Sequence, residues 1–107
     1  MNDRAQLAAL GAHVEQPAPS PGTGDVWQEV IDGEPLAVLR ELYKARRALG
    51  LRRYGHLLQR DNGRDHALDG HEELLDGIVY FTAAGWYDVV AALRTALLCV
   101  VARRGAA

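Results

Sequence analysis

The chain has 107 residues, of which 49% are hydrophobic, and its 12 basic and 14 acidic side chains give a formal net charge of -2. This length allows one small domain, and the near balance of charge gives no general attraction to nucleic acid or to an acidic membrane surface. The single cysteine, Cys99, excludes an internal disulfide and a thiolate zinc site, and its apolar neighbours predict a small buried residue.

Residues 1–24 are predicted to form a flexible tail. The segment EQPAPSPGTG contains three prolines and two glycines, which neither continue a helix nor pair in a sheet. The N-terminus lacks the basic start and long apolar run of a secretory signal, and the charge-free stretch TALLCVVA is too short to span a bilayer. We therefore expect a cytoplasmic protein without membrane contact.

Two helices are predicted in the first half of the remaining chain. Asp25 is a candidate N-cap for a short helix in VWQEVI, which DGE ends. Pro35 suits the first turn of a second helix over residues 35–49, where apolar residues recur at near-helical spacing between basic ones. Gly50 is predicted to end or bend that helix.

Two further helices are predicted in the second half. One covers residues 64–84, with Asp61 or Asn62 as its cap and Gly85 as its stop, and the other covers residues 86–104. Arg103 and Arg104 suit the negative C-terminal end of the last helix. No alternating strand pattern of useful length occurs. The sequence thus predicts an all-α domain over residues 25–105 with three main helices.

The last helix is apolar around most of its circumference, which is typical of a helix buried on more than one side. A three-helix monomer of this size has nothing to cover the second side. We therefore expect a homo-oligomer, a homodimer or homotetramer that completes a larger helical bundle. The apolar residues in question are Val89, Val90, Leu93, Leu97, Leu98, Val100 and Val101.

Five carboxylates share one face of the predicted third helix, within an arc of about 100°. No lysine or arginine occurs between this group and Arg94, so its charge is not neutralised within the helix. A solvated helix face is one explanation, and a site for a hard divalent cation such as Mg²⁺ is the other, favoured one. Glu73 and Asp76, three residues apart, can converge on one ion. The five are Asp65, Asp69, Glu72, Glu73 and Asp76.

A basic stretch, KARRALGLRR, precedes the carboxylates. It suits a solvated helix face, a nucleic-acid patch or a polyphosphate site. The net negative charge and few aromatic residues make nucleic acid unlikely as a partner. Guanidinium groups together with a metal ion suit a polyphosphate, although no Walker-type glycine loop is present. The arginines of this stretch and of the segment after it are Arg46, Arg47, Arg52, Arg53, Arg60 and Arg64.

The segment HALDGH raises the question of a zinc site. His71 points about 160–200° away from Asp69 on a helix, so the ligands do not converge and zinc is disfavoured. His71 instead falls among apolar positions, where we expect a packed, hydrogen-bonded core residue.

The stretches VWQEVI and GLRRYGHLLQRDNGRDHALDGHEELLDGIVYF resemble the short MazG-like proteins of bacteriophages and high-GC bacteria. The shared pattern over residues 26–84 is R-Y-G, N-G-R-D, D-x-x-x-E-x-x-D and an aromatic after an apolar pair. These proteins belong to the all-α nucleoside triphosphate pyrophosphohydrolases. The resemblance implies an obligate oligomer of helical bundles that uses Mg²⁺ to split a (d)NTP into monophosphate and pyrophosphate.

The resemblance also implies roles for individual residues. Glu73 and Asp76 match its second metal-binding pair, while Asp65 and Asp69 match other acidic positions. The positions expected to face the nucleotide are Tyr54, Asn62 and Arg64. The family pattern has an ExxE pair on the preceding helix, but this chain has only Glu41 there, with Lys44 three residues later.

The resulting hypothesis is a hydrolase in which Glu73, Asp76 and Asp69 hold Mg²⁺, or alternatively Mn²⁺. Glu41 or Glu72 would assist, and Glu72 or Glu73 would orient or deprotonate the attacking water. The groups expected to stabilise the departing pyrophosphate are Arg46, Arg47 or Arg64. The alternative is a non-catalytic nucleotide-binding or protein-interaction module with a degenerate site, which the missing ExxE pair favours.

Overall fold

The structure of the protein, a computed structural model, describes residues 15–105. Within them it is 69% helical, with four helices and one two-stranded sheet, so the mostly helical class is confirmed. Most of the predicted tail, residues 1–14, lies outside the described residues. The elements in chain order are β1 (Thr23–Asp25), α1 (Val26–Gly33), α2 (Ala37–Tyr54), β2 (Gln59–Arg60), α3 (His66–Ala83) and α4 (Tyr87–Gly105).

The described chain divides into two compact units. Residues 17–64 form the first, which contains α1, α2 and the sheet. Residues 65–105, with Glu15 and Gln16, form the second, in which α3 packs against α4.

The predicted cap of the first helix is confirmed. The Asp25 carboxylate accepts a hydrogen bond from the Gln28 backbone N–H at 3.2 Å, which satisfies one of the free donors at the start of α1. Asp25 is also the last residue of β1, which pairs antiparallel with β2. The predicted helix therefore begins directly from a strand that the sequence did not indicate.

The bounds of α2 differ from the prediction at both ends. Pro35 lies outside the helix, because α2 has Leu36 as its N-cap and begins at Ala37. The helix continues through Gly50, since an internal glycine costs only about 1 kcal/mol and does not block the backbone hydrogen bonds. It ends at Gly55, which has a φ of 75° and donates its N–H to the Leu51 carbonyl at 2.9 Å.

A close backbone approach accompanies the small sheet. A Cβ atom on Gly22 would lie 2.1 Å from the Arg60 carbonyl oxygen, so only glycine fits there. Beside it, the Ser20 N–H donates to the Asn62 carbonyl at 2.8 Å. Part of the predicted tail is therefore hydrogen-bonded to the segment around β2.

The cap of α3 was predicted wrongly. Its N-cap is Asp65, whose carboxylate accepts from the Leu68 N–H at 3.0 Å. Asn62 instead accepts from the Arg64 N–H within a turn, and Asp61 has a φ of 57°. The predicted stop is confirmed, because α3 ends at Ala83 and Gly85 has a φ of 77°.

Few apolar side chains are buried in one copy of the chain. Among residues 15–105 the buried hydrophobic residues are Ile31 and Leu68. Helix α4 contains no buried residue, and Cys99 is exposed, so the prediction of a buried cysteine was wrong. In the same part of the chain, no helix combines the length and apolar character needed to cross a membrane.

Candidate functional site

The predicted metal ligands are positioned by α3. Asp69, Glu73 and Asp76 are at positions i, i+4 and i+7 of this helix and therefore share a face. Glu73 and Asp76 are exposed and Glu72 is partly buried. The helix thus presents a row of carboxylates, with the N-cap Asp65 at its start.

Asp65 has two structural contacts in addition to its predicted role. Its carboxylate caps α3, and it lies 3.6 Å from the Arg104 guanidinium on α4. The hydrogen bond from the Leu68 N–H, followed by the charge of Arg104, lowers the pKa of this carboxyl group. Asp65 therefore stays ionised to lower pH than an ordinary aspartate.

Asp69 is held by a residue from the start of the described chain. Gln16 donates from its amide nitrogen to the Asp69 carboxylate at 2.9 Å, and its amide oxygen accepts from the Asp65 N–H at 2.6 Å. Gln16 therefore orients the first turn of α3. The sequence placed Gln16 in the tail and assigned it no role.

The carboxylates on α3 can supply only some of the ligands that a divalent cation requires. Within residues 15–105, no three or more histidine, cysteine or acidic side chains are grouped so that they could hold a metal ion. Mg²⁺, however, is usually bound by one or two carboxylates, with water and substrate phosphates completing its octahedral shell. Glu73 and Asp76 fit that smaller requirement.

Glu41, the one carboxylate predicted to assist from the preceding helix, is strongly exposed on α2. Its side chain is 73% accessible and lies 3.4 Å from the Lys44 ammonium group, in an i,i+3 ion pair. Such an exposed pair contributes little to stability. Because Lys44 occupies the position three residues after Glu41, no second carboxylate is present there.

Side chains within residues 46–58 and Trp27 of α1 line a pocket of about 290 Å³, here called the arginine pocket. It contains three of the predicted substrate-binding residues, Arg46, Arg47 and Tyr54. Its complete lining is Trp27, Arg46, Arg47, Leu49, Gly50, Leu51, Arg53, Tyr54, His56, Leu57 and Leu58. Guanidinium groups, aromatic rings and aliphatic side chains thus line one concave surface.

Arg47 is the most constrained of the pocket's arginines. Its terminal nitrogen Nη2 donates to the Asp25 carboxylate, and this hydrogen bond lowers the pKa of Asp25. Its Nε atom is buried and has no hydrogen-bond partner among the described residues. Arg47 is therefore oriented by Asp25.

Asn62 and Arg64 lie outside the arginine pocket lining. Asn62 is 3% exposed, and its side-chain oxygen accepts from the Arg64 N–H at 3.2 Å. The Arg64 guanidinium donates to the Pro17 carbonyl at 2.9 Å. Both residues hold the backbone of the first unit, and their predicted nucleotide contacts stay predictions.

Sequence reasoning missed two lining residues, Trp27 and His56, as parts of a common site. Trp27 was assigned only to an apolar helix face, whereas Arg53 was predicted as part of the basic stretch that suits a polyphosphate. Gly55 ends α2 immediately before His56, so the turn that brings His56 to the pocket was indicated by the glycine alone.

The two histidines of HALDGH, His66 and His71, have different environments. His66 is exposed, whereas His71 is 3% exposed. Neither ring nitrogen of His71 has a hydrogen-bond partner among the described residues, so the expected packing is confirmed and the expected hydrogen bond is not formed. The pair does not offer the convergent nitrogen ligands that zinc needs.

No protein-family model, curated protein or solved structure matches this chain. The resemblance to MazG-like proteins therefore stays a prediction that rests on the motifs in the sequence.

Proposed function

We propose that this protein is a cytoplasmic, Mg²⁺-dependent nucleoside triphosphate pyrophosphohydrolase that converts a (d)NTP to the monophosphate and pyrophosphate. The observation that carries the proposal is the arginine pocket, in which Arg46, Arg47 and Tyr54 line one surface with Trp27. Cationic donors suit the phosphates of a nucleotide, and aromatic rings suit its base.

The chemistry of the pocket supports a phosphate-bearing aromatic ligand. Guanidinium groups form charge-assisted hydrogen bonds with phosphate oxygens, and Arg46, Arg47 and Arg53 line the pocket. Nucleobases stack on aromatic side chains, which Trp27 and Tyr54 supply. A volume of about 290 Å³ lies just below the range of about 300–1,000 Å³ that is usual for small-molecule sites.

The carboxylates of α3 supply the second part of the proposal. Glu73 and Asp76 would hold Mg²⁺, which neutralises phosphate charge and lowers the pKa of bound water. The partly buried Glu72 would orient the attacking water or take its proton, and the metal role of Asp69, which Gln16 holds, stays a prediction. The metal roles of Asp65 and Glu41, and a role of Mn²⁺ in place of Mg²⁺, stay predictions.

A non-catalytic nucleotide-binding module is the second candidate. This candidate is favoured because Glu41 is exposed and forms an ion pair with Lys44. Helix α2 therefore has no pair of carboxylates at this position. A module of this kind would use the arginine pocket to bind a nucleotide and would release it unchanged.

We also propose that the working form is a homodimer or homotetramer. In one copy, α4 has no buried residue although its sequence is largely apolar, and other large apolar side chains are exposed as well. Covering such surface is favourable by about 25 cal/mol for each Å² removed from water. A second copy of the chain supplies a matching apolar surface by symmetry.

A product assay tests the proposal directly. The purified chain is incubated with Mg²⁺ and a panel of canonical and modified (d)NTPs, and monophosphate and pyrophosphate are quantified. We expect equal amounts of both products and their loss when EDTA is added. Saturable nucleotide binding without any product, by a folded protein, would instead select the binding module.

A further inference from the structure

The second unit contains an open groove that the proposed hydrolysis does not use, here called the α3–α4 groove. It has a volume of about 480 Å³ and lies where the first half of α3 faces the end of α4. Its lining includes Ala67, Gly70 and Leu74 from α3, and Val100 and Arg104 from α4. The two helices therefore leave room for a further element at this end of the unit.

The surface of the α3–α4 groove is almost wholly apolar. The ring nitrogens of His71 and the Nε atom of Arg104 belong to residues of the lining, but these atoms are themselves buried and do not reach the groove surface. An enclosed water molecule needs about two to four polar partners, so water fills an apolar groove poorly. Apolar side chains are the occupants that this surface favours.

The groove arises because α3 and α4 touch closely at their other end. There, the rings of Phe81 and Trp86 stack with their centroids 5.6 Å apart, and a Cβ atom on Gly77 would lie 3.4 Å from the Leu93 side chain. A Cβ atom on Gly70, by contrast, would meet no atom of the described chain within 4 Å. The space beside Gly70 is thus open.

The chain enters the second unit beside this groove. Gln16 accepts a hydrogen bond from the Asp65 N–H at 2.6 Å and donates to the Asp69 carboxylate at 2.9 Å. Asp65 in turn lies 3.6 Å from the guanidinium group of Arg104, which lines the groove. Val14 is only two residues from Gln16, a distance of at most about 7 Å. The residues before Gln16 therefore start within reach of the groove.

The sequence before Gln16 has the apolar pattern that such a groove can hold. The run AQLAALGAHV, residues 5–14, lies outside the described residues and contains no acidic side chain, lysine or arginine. Its largest aliphatic side chains, Leu7, Leu10 and Val14, are at i, i+3 and i+7, a spacing that places them within about 60° on a helix. Eight residues of helix are about 12 Å long, which matches the stretch from residue 67 to residue 74 on α3.

We propose that the chain's own residues 7–14 dock into the α3–α4 groove. Leu7, Leu10 and Val14 pack against Leu74 and Val100, and the docked segment is held at its end by the two hydrogen bonds of Gln16. Docking is independent of nucleotide hydrolysis, because neither the segment nor these groove residues belong to the proposed active site.

A second copy of the chain is the competing occupant, but it has another surface to cover. Leu98, which is 52% exposed, lies about 200° around α4 from Val100. The docked segment and a second copy thus cover different sides of α4. Two covers on two sides account for a helix that is apolar around most of its circumference.

Methyl NMR of the full-length wild-type chain is the first test. With the leucine and valine methyl groups labelled with ¹³C, we expect nuclear Overhauser effects from Leu10 to Leu74 and Val100. A second sample mixes labelled and unlabelled chains, and isotope-filtered spectra of it record contacts between chains alone. We expect the Leu10 contacts to be missing from those filtered spectra, because the segment docks into the groove of its own chain.

Leu10→Glu and Ala9→Glu form a matched pair of variants. Both add one negative charge to the segment, but Ala9 lies about 130° from the centre of the arc that Leu7, Leu10 and Val14 share. Leu10→Glu should raise the amide hydrogen-exchange rates of residues 67–74 about ten-fold or more, because a charge is costly in the apolar groove and the segment leaves it. Ala9→Glu should leave these rates near the wild-type values.

Three results would overturn the proposal. The first is a folded wild-type chain in which Leu10 makes no contact with the groove, and the second is a Leu10 contact between chains in the mixed sample, which would assign the groove to a second copy. The third is equal exchange rates in the two variants. Because the wild-type spectra need no substitution, misfolding of a variant leaves the first test intact. Docking in a chain without hydrolase activity would still support the proposal.

Discussion

Asp25 and Arg47 join the beginning of α1 to the second half of α2 through one carboxylate and one guanidinium group. Asp25 caps α1 through the Gln28 N–H and accepts a hydrogen bond from Arg47. Arg47 also lines the arginine pocket. The same aspartate therefore stabilises a helix end and orients an arginine of the proposed nucleotide site.

We expect acid to destabilise the protein partly through Asp25. Its pKa is lowered in the folded chain, chiefly by the hydrogen bond from Arg47. Ionised Asp25 therefore stabilises the folded chain fully above about pH 4, the ordinary pKa of aspartate. This stabilisation is lost as the pH falls through the lowered pKa that Asp25 has in the folded chain. Asp25→Asn should lower the free energy of unfolding by about 1 kcal/mol at pH 7, because asparagine keeps the cap but loses the charge.

Urea denaturation between pH 2 and pH 7 measures this effect. The Asp25→Asn curve should approach the wild-type curve at the acid end, while Asp32→Asn, at an exposed position of α1, should follow the wild type throughout. A constant difference between Asp25→Asn and wild type across the whole range would contradict the assigned pairing.

Two glycines of α2 should respond oppositely to alanine. Gly50 is inside the helix, and an alanine Cβ there would meet open space, with no packed neighbour of the described chain within 4 Å. Gly50→Ala should therefore stabilise the protein by about 0.5–1 kcal/mol. Gly55 has a φ of 75°, so Gly55→Ala should destabilise it by about 1 kcal/mol. Thermal denaturation of both variants, side by side, provides the comparison.

Arg46 and Arg52 provide a matched test of the arginine pocket. Both are exposed on α2, but only Arg46 belongs to the pocket lining. Arg46→Gln should reduce kcat/KM for the best (d)NTP by about ten-fold or more, since a charge-assisted phosphate contact is lost. Arg52→Gln should leave it unchanged. Equal losses in the two variants would indicate a general charge effect and remove the pocket from the proposal.

Glu73→Gln tests the carboxylates of α3. The substitution keeps the size of the side chain and removes its charge, so turnover should fall at least about 100-fold with little change in stability. Asp88→Asn, on the exposed surface of α4, is the control and should retain full turnover. Undiminished hydrolysis by Glu73→Gln would exclude Glu73 from metal binding and catalysis.

Leu98 tests the proposed oligomer. Its side chain is 52% exposed on α4 in one copy of the chain. Leu98→Glu should shift the protein towards monomer, because a charge is costly in an apolar interface. Ala92→Glu, at an exposed position about 120° around α4 from Leu98, compares the effect of charge alone. Sedimentation velocity at several concentrations measures the distribution, and a monomeric wild type would refute the oligomer.

Features determined by a few neighbouring residues were predictable. Asp25 as a cap and Gly85 as a stop were identified correctly, since both act on backbone groups within four residues. The cap of α3 was missed because three capping residues, Asp61, Asn62 and Asp65, lie within five positions and compete for it. Asn62 is used in a turn with the Arg64 N–H, which leaves the capping position to Asp65.

Features that join distant parts of the chain were not predictable in the same way. The strands β1 and β2 contain three and two residues, too few to show an alternating pattern. The arginine pocket was predicted only in part. The fold brings Trp27 to the same pocket as Arg46 and Tyr54, and the spacing of these residues in the sequence does not indicate this. The lack of a hydrogen bond at His71 also depends on its neighbours in space.

The small sheet has a consequence for the order of folding. Its strands lie before α1 and after α2, so their pairing must close a loop that contains both helices. Closing this loop costs the chain conformational entropy, and the few hydrogen bonds between the strands compensate for that cost only after the loop has closed. Pairing of Thr23 with Arg60 should therefore come late in folding, and amide hydrogen exchange should find these strands among the first parts of the unit to open.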